Sequence, residues 1–176
     1  MTRLADVFTG RILQFRWERT AAHPGAVGFE YAGDLAYARF IQYQGFGLLL
    51  FVAGAVVLAR AGQDLSKYRL RWSHLGFAYK TPDGWRVLHK LNQCGTADGS
   101  LYRQGLGEFF LDDLWRYEAA WAVPTPEVQA RLLALVQDDR RATRLHHKPY
   151  SLVSYAWGRQ YQQSNQWAIE TLASAM

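Results

Sequence analysis

Arg71-Trp-Ser-His-Leu-Gly-Phe-Ala-Tyr-Lys-Thr-Pro-Asp-Gly-Trp-Arg-Val-Leu-His-Lys-Leu91 is the stretch on which the fold turns. Thr81-Pro82-Asp83-Gly84 is a turn signal, because proline presets φ and glycine accepts a positive φ. The flanks are rich in aromatic and branched side chains, which suit strands. With the turn as the loop of a β-hairpin, Lys80 faces Trp85, Gly76 faces His89 and His74 faces Leu91. Facing positions share a side of the sheet, so His74, Gly76, Ala78, Val87 and His89 fall on one face. His74 and His89 are then diagonal neighbours at roughly 7–8 Å, close enough for their rings to share a site. The small residues between them predict room for a docked group.

Outward from the hairpin, the chain has 176 residues, enough for one domain with a sizeable core. Its 49% apolar and 15% aromatic content excludes a mostly disordered chain. The net charge of +5 is thinly spread. The densest basic stretch, Arg140 to Lys148, reads as a solvated helix end, and no nucleic-acid partner is expected. A single cysteine excludes an internal disulfide and any multi-cysteine zinc site. Phe46 to Ala59 is an unbroken apolar run, shorter than the roughly 20 residues of a membrane span. Too much chain precedes it for a signal-peptide core. Its second half reads as a buried strand. Its first half, 46–52, is open between helix, strand and a membrane-surface contact.

Strands are expected near 56–59, 71–80, 85–91, 117–123 and 150–157. Ser100 to Leu106 reads as a short helix, and Glu108 to Leu114 as helical or extended. The clearest helix starts at Pro124-Thr-Pro126, where Glu127 meets the positive dipole end and Val128, Leu132, Leu135 and Val136 form an apolar stripe. Short helices follow at 140–146 and at 164–173. Strands and helices come in runs, so the class is α+β, an antiparallel sheet with packed helices. Residues 1–55 are expected to form a divergent N-terminal segment, of which 1–44 read as a loosely attached appendage, and residues 56–176 the main domain.

Ser164-Asn165-Gln166-Trp167 opens the last helix, where free backbone N–H groups and the dipole favour a nucleophile and its oxyanion. N-capping alone also accounts for Ser and Asn there. Cys94 is the rival nucleophile, five residues after His89 in a Gln-Cys-Gly turn, and a lone cysteine also serves as small apolar filler. A His74–His89–Cys94 metal site lacks a fourth ligand, so no metal and no other cofactor is expected. Asp112-Asp113 and His146-His147 read as solvated pairs.

A histidine on one strand, a second on the next and a nucleophile opening a late helix resemble the order in circularly permuted papain-like folds, the NlpC-type hydrolases and the lecithin:retinol acyltransferase group. The residues that carry this are His74-Leu-Gly-Phe-Ala-Tyr79, Gly84-Trp-Arg-Val-Leu-His89 and Ser164-Asn-Gln-Trp167. Serine stands here where those families place cysteine, and it lacks a thiol's low pKa. The resemblance implies His74 as base, His89 as orienting group and Ser164 or Cys94 as attacking atom. The chain more closely resembles a bacterial family known as domain of unknown function 2145. The matching stretches are Leu58 to Tyr68, Ser73 to Phe77, Leu91 to Thr96, Gly105 to Asp113 and Tyr161 to Trp167. Asp64, Ser73, Asn165 and Gln166 fall within them and are candidate binding residues. That resemblance implies an exported protein of the periplasm or cell envelope. Two classes of function follow: an amide or ester hydrolase or acyltransferase, or a non-catalytic binding or assembly module. The ligand of either would be a small molecule, a peptide or a lipid. A helix bearing Ser164 on the His74 face is the structural expectation.

Overall fold

The computed structural model describes residues 54–112, 114–155 and 158–176, and the backbone of three short strands nearer the N-terminus. Those strands are β1 (Leu13–Arg16), β2 (Ala26–Tyr31) and β3 (Phe40–Ile41). The main sheet is built from β4 (Ala55–Ala61), β5 (His74–Thr81), β6 (Gly84–Asn92), β7 (Gly99–Gly105) and β8 (Arg116–Ala122). Its order is β8-β4-β5-β6-β7, every neighbouring pair is antiparallel, and β3-β2-β1 continue beyond β8. The helices are α1 (Leu106–Leu111), α2 (Pro126–Val136), α3 (Asp139–Ala142) and α4 (Ser164–Ala175). The fold is thus α+β with an open antiparallel sheet. The segment 46–52 lies outside the described residues.

The hairpin has the register its sequence dictates. Lys80 pairs with Trp85 and Ala78 with Val87, and Gly84 takes φ +112° in the turn. Thr81 Oγ1 donates to Gly84 O at 2.8 Å and closes the loop. Side-chain parity then divides the core. On one face Ala55, Phe77, Tyr79 and Leu88 pack with Leu132 and Val136 of α2 and with Trp167 and Ala168 of α4. On the other face Val56, Leu58, Ala78, Val87 and Trp121 pack around Phe109 of α1.

Two expected elements are different in the structure. Ser100 to Leu106 is strand β7 up to Gly105, paired with β6 from Asn92↔Gly99 to Arg86↔Gly105. The turn at Gly95, with φ +76°, returns the chain beside β6, and pairing with that open edge overrides the helical propensity of a short segment. The strand expected at 150–157 does not form over the described residues 150–155. Among the described residues a single bridge, Asp98↔Pro149, flanked by Gly99 N–H on Lys148 O and Tyr150 N–H on Ala97 O, both at 2.7 Å, joins the start of this segment to the sheet's end. Ser154 N–H then bonds back to Ser151 O at 3.1 Å, which turns the chain away from the β7 edge. Residues 156 and 157 lie outside the described residues.

Lys90 anchors this connection from the core. It is fully buried on the α4 face, and its Nζ donates to His147 O at 2.6 Å and to Gln162 Oε1 at 2.8 Å. Burial draws its ammonium down to about 8, partly offset by the Glu170 carboxylate. Gly99 makes room for the lysine stem, because a Cβ there would lie 2.6 Å from Lys90 Cε.

Candidate functional site

Strand pairing brings one polar group from each of four strands to the face opposite α4. Arg60 pairs with His74, and the β5–β6 and β6–β7 registers put His89 and Gln104 on that same side. His74 Nε2 lies 2.8 Å from His89 Nδ1, and His89 Nε2 lies 2.7 Å from Gln104 Oε1. Gln104 Oε1 is an acceptor, so His89 carries its proton on Nε2 and accepts at Nδ1 from the Nε2–H of His74. The chain His74→His89→Gln104 therefore runs in one direction with both rings neutral. Phe109 covers it from α1, at 5.8 Å from the His74 ring and 5.1 Å from the His89 ring between centroids.

Both imidazoles are weak bases. Burial is the main cause in each: it pulls His89 down to about 4 against the opposing effect of the Gln104 bond, and holds His74 well below the ordinary value. The His89 ring and the Arg60 guanidinium push His74 further in the same direction. Arg60 is itself buried, donates to Phe109 O and pairs with Asp112 at 3.1 Å, while its Nε has no partner. A cation fixed beside two rings in a dry site favours their neutral form.

The space expected between the histidines is filled. A Cβ on Gly76 would stand 2.7 Å from Val87 Cγ1 and 3.1 Å from His89 Cβ. The glycine is there to let His89 and Val87 close over β5, so it offers no docking room.

The nucleophile candidates lie elsewhere. Ser164, Trp167, Ala168, Thr171 and Ala175 are the buried stripe of α4, and Trp167 meets Phe77 at 5.7 Å between centroids. Phe77 has the opposite parity to His74, so α4 packs on the face away from the histidines, contrary to the sequence expectation. Ser164 is buried at the first position of α4, and Gln163 is the N-cap residue, with no side-chain capping bond. Cys94 is exposed in the β6–β7 turn.

The four binding candidates hold the chain together. Asn165 accepts from Leu75 N–H and donates to Ser73 O, both at 2.9 Å, and so ties α4 to the backbone on either side of His74. Ser73 Oγ accepts from Gly62 N–H at 2.8 Å and Gln63 N–H at 3.0 Å, stapling the β4–β5 connection. Asp64 accepts from Ser66 N–H at 3.0 Å, and hydrogen bonding from the Ser66 side chain first and its backbone second lowers the carboxyl pKa. Gln166 Oε1 lies 3.1 Å from Ser154 Oγ, and Gln166 Nε2 donates to Glu170 at 2.9 Å.

Sequence reasoning missed Gln104, Arg60 and Phe109. Gln104 was hidden by the helical reading of Ser100–Leu106, since only as strand does its parity match His89. Arg60 and Phe109 reach the site through long-range pairing, which local pattern does not reveal. Among the described residues no group of three or more His, Cys, Asp or Glu side chains is gathered as a metal site. Likewise, no helix of the described residues is long and apolar enough to cross a membrane.

Residues 52–176 match the model of the family described as an uncharacterized protein conserved in bacteria, DUF2145, and the chain belongs to that family. No curated protein and no solved structure matches the chain.

Proposed function

We propose that this domain is a non-catalytic binding or assembly module of the bacterial cell envelope, related to permuted papain-like folds but without their reactive pair. One observation carries the reading: the helix bearing Ser164 packs on the sheet face opposite the histidines. A serine needs a general base within about 3 Å of its hydroxyl. His74 instead directs its Nε2 to His89, and neither ring has a basicity near neutrality. The envelope assignment rests on the family resemblance. The ligand class remains a small molecule, peptide or lipid.

The competing reading is an amide or ester hydrolase or acyltransferase. The His74–His89–Gln104 series supports it, since a base oriented by a second group is the arrangement such enzymes use. It would require α4 to cross to the other face, or Cys94 to be drawn to the rings. Labelling decides between them. The parent, Ser164→Ala, Cys94→Ala and His74→Gln proteins are treated with a fluorophosphonate and with iodoacetamide. The module reading expects no labelling at Ser164, and Cys94 alkylation at the rate of an ordinary exposed thiol in both parent and His74→Gln. Labelling of Ser164 or accelerated labelling of Cys94 that vanishes in His74→Gln overturns it.

A further inference from the structure

We propose that the α3–α4 connection docks the protein on an anionic lipid surface. The sequence from Arg140 to Ile169 carries five Lys and Arg residues and no Asp or Glu. Its described part exposes an unusual set of apolar side chains: Leu152 at 60%, Val153 at 85% and Tyr155 at 66%, with Leu145 and Tyr161 also exposed. Leu152 and Val153 occupy the centre of the turn closed by Ser154 N–H on Ser151 O. Turn centres ordinarily carry Gly, Asn, Asp or Pro, so a Leu-Val pair there leaves two branched side chains in water with no folding benefit.

The protrusion is built. Ser154 Oγ donates to Tyr161 O at 2.6 Å and Gln163 Nε2 donates to Ser154 O at 3.1 Å, which braces the turn against the start of α4. The His147 ring contacts Gln160 O at 3.0 Å, bringing the two flanks together at the loop's base. Lys148 and Arg159, next in sequence to that contact, are exposed, as is Arg144. Lys148 shares its charge with Asp98 at 3.0 Å, leaving Arg144 and Arg159 as the cations the loop offers. Apolar and aromatic side chains at the tip with cations behind them match an interface of acyl chains below anionic headgroups. The charge pattern favours lipid over a neutral protein partner. Docking of this kind is independent of what the histidines do, and vesicle binding and probe labelling fail separately.

Co-sedimentation of the full chain with vesicles tests it, using phosphatidylcholine alone and phosphatidylcholine with phosphatidylglycerol. Binding to the mixed vesicles, weak binding to the neutral ones and release by added salt are expected. Leu152→Ser with Val153→Ser is expected to weaken binding about 100-fold, roughly tenfold for each apolar side chain kept out of the interface. Arg144→Gln with Arg159→Gln is expected to weaken it about tenfold or more on the anionic vesicles alone. All these positions are exposed, so unchanged thermal unfolding is expected and is measured alongside. No binding to anionic vesicles overturns the proposal. So does binding that the serine pair leaves intact, which would assign the contact to another part of the chain. Equal binding to both vesicle types removes the role of the cations and overturns it as stated.

Discussion

Acid should unfold this domain through its buried histidine pair before general carboxylate protonation begins. His89 falls from an ordinary value of 6.5 to about 4 in the folded protein, chiefly because its ring is buried. The unfolded chain therefore takes up a proton at His89 near pH 6.5, while the folded chain resists until about pH 4. Stability from this group is complete above pH 6.5 and is lost progressively as pH falls toward 4. At about 1.4 kcal/mol per pKa unit, the loss from His89 alone is about 3 kcal/mol. His74, also held well below its ordinary value by burial, acts in the same direction. The assay is urea unfolding of the parent and of His74→Gln/His89→Gln at half-unit steps from pH 8 to 4. With a slope of about 2 kcal/mol/M, the parent midpoint should drop by about 1.5 M relative to its pH 8 value over and above any drop in the variant. His146, which is also lowered by burial, is common to both proteins and cancels in the comparison. Parallel curves for the two proteins, or imidazole resonances of His74 and His89 that titrate near pH 6.5 in the folded state, would refute the reasoning.

Gly76→Ala forces a methyl to within 2.7 Å of Val87 Cγ1, and overpacking of this kind costs about 1–3 kcal/mol; thermal unfolding that is unchanged would mean that β6 moves freely away from β5. Asn165→Ala removes both bonds to the backbone flanking His74 and leaves the Leu75 N–H unpaired, a loss of about 2 kcal/mol to be read from urea midpoints, with smaller loss in Asn165→Asp, which keeps the acceptor. Lys90→Met leaves His147 O without its donor and Gln162 Oε1 with the His147 N–H alone, so hydrogen exchange should quicken across residues 145–162 and not in β4 or β5.

The hairpin was legible because its information is local. A turn signal fixes the register, the register fixes parity, and parity alone brings His74 and His89 together. The helix at Pro126–Val136 was equally plain from its stripe and its proline start. The strand β7 was not, because Ser100 to Gly105 mixes Leu101 and Tyr102 with Arg103 and Gln104 in no clear alternation. Both its faces are half-buried, which erases the period-two signal. At 150–155 the opposite happened: apolar side chains suggested a strand, yet they point to solvent at a turn. In each case the sequence pattern was ambiguous: pairing with the β6 edge decided the first, and the Ser151–Ser154 turn decided the second.

The face that receives α4 was also written in the sequence, though not in the order of its elements. Parity puts Leu75, Phe77, Tyr79 and Leu88 on one side of the hairpin and His74, Gly76, Ala78 and Val87 on the other. A helix whose stripe includes Trp167 gains most by covering the bulky set, where each large apolar side chain buried contributes about 1.5–3 kcal/mol. Covering the histidine side would set Trp167 against an imidazole pair and leave Phe77 in water. The smaller side instead suits the short α1, whose Phe109 fills the hollow above Ala78 and closes the site to solvent. The same choice of face has a chemical consequence. It takes Ser164 away from His74, while Phe109 covers the two rings on the other face and burial lowers their basicity, and these are the features on which the proposed non-catalytic reading rests.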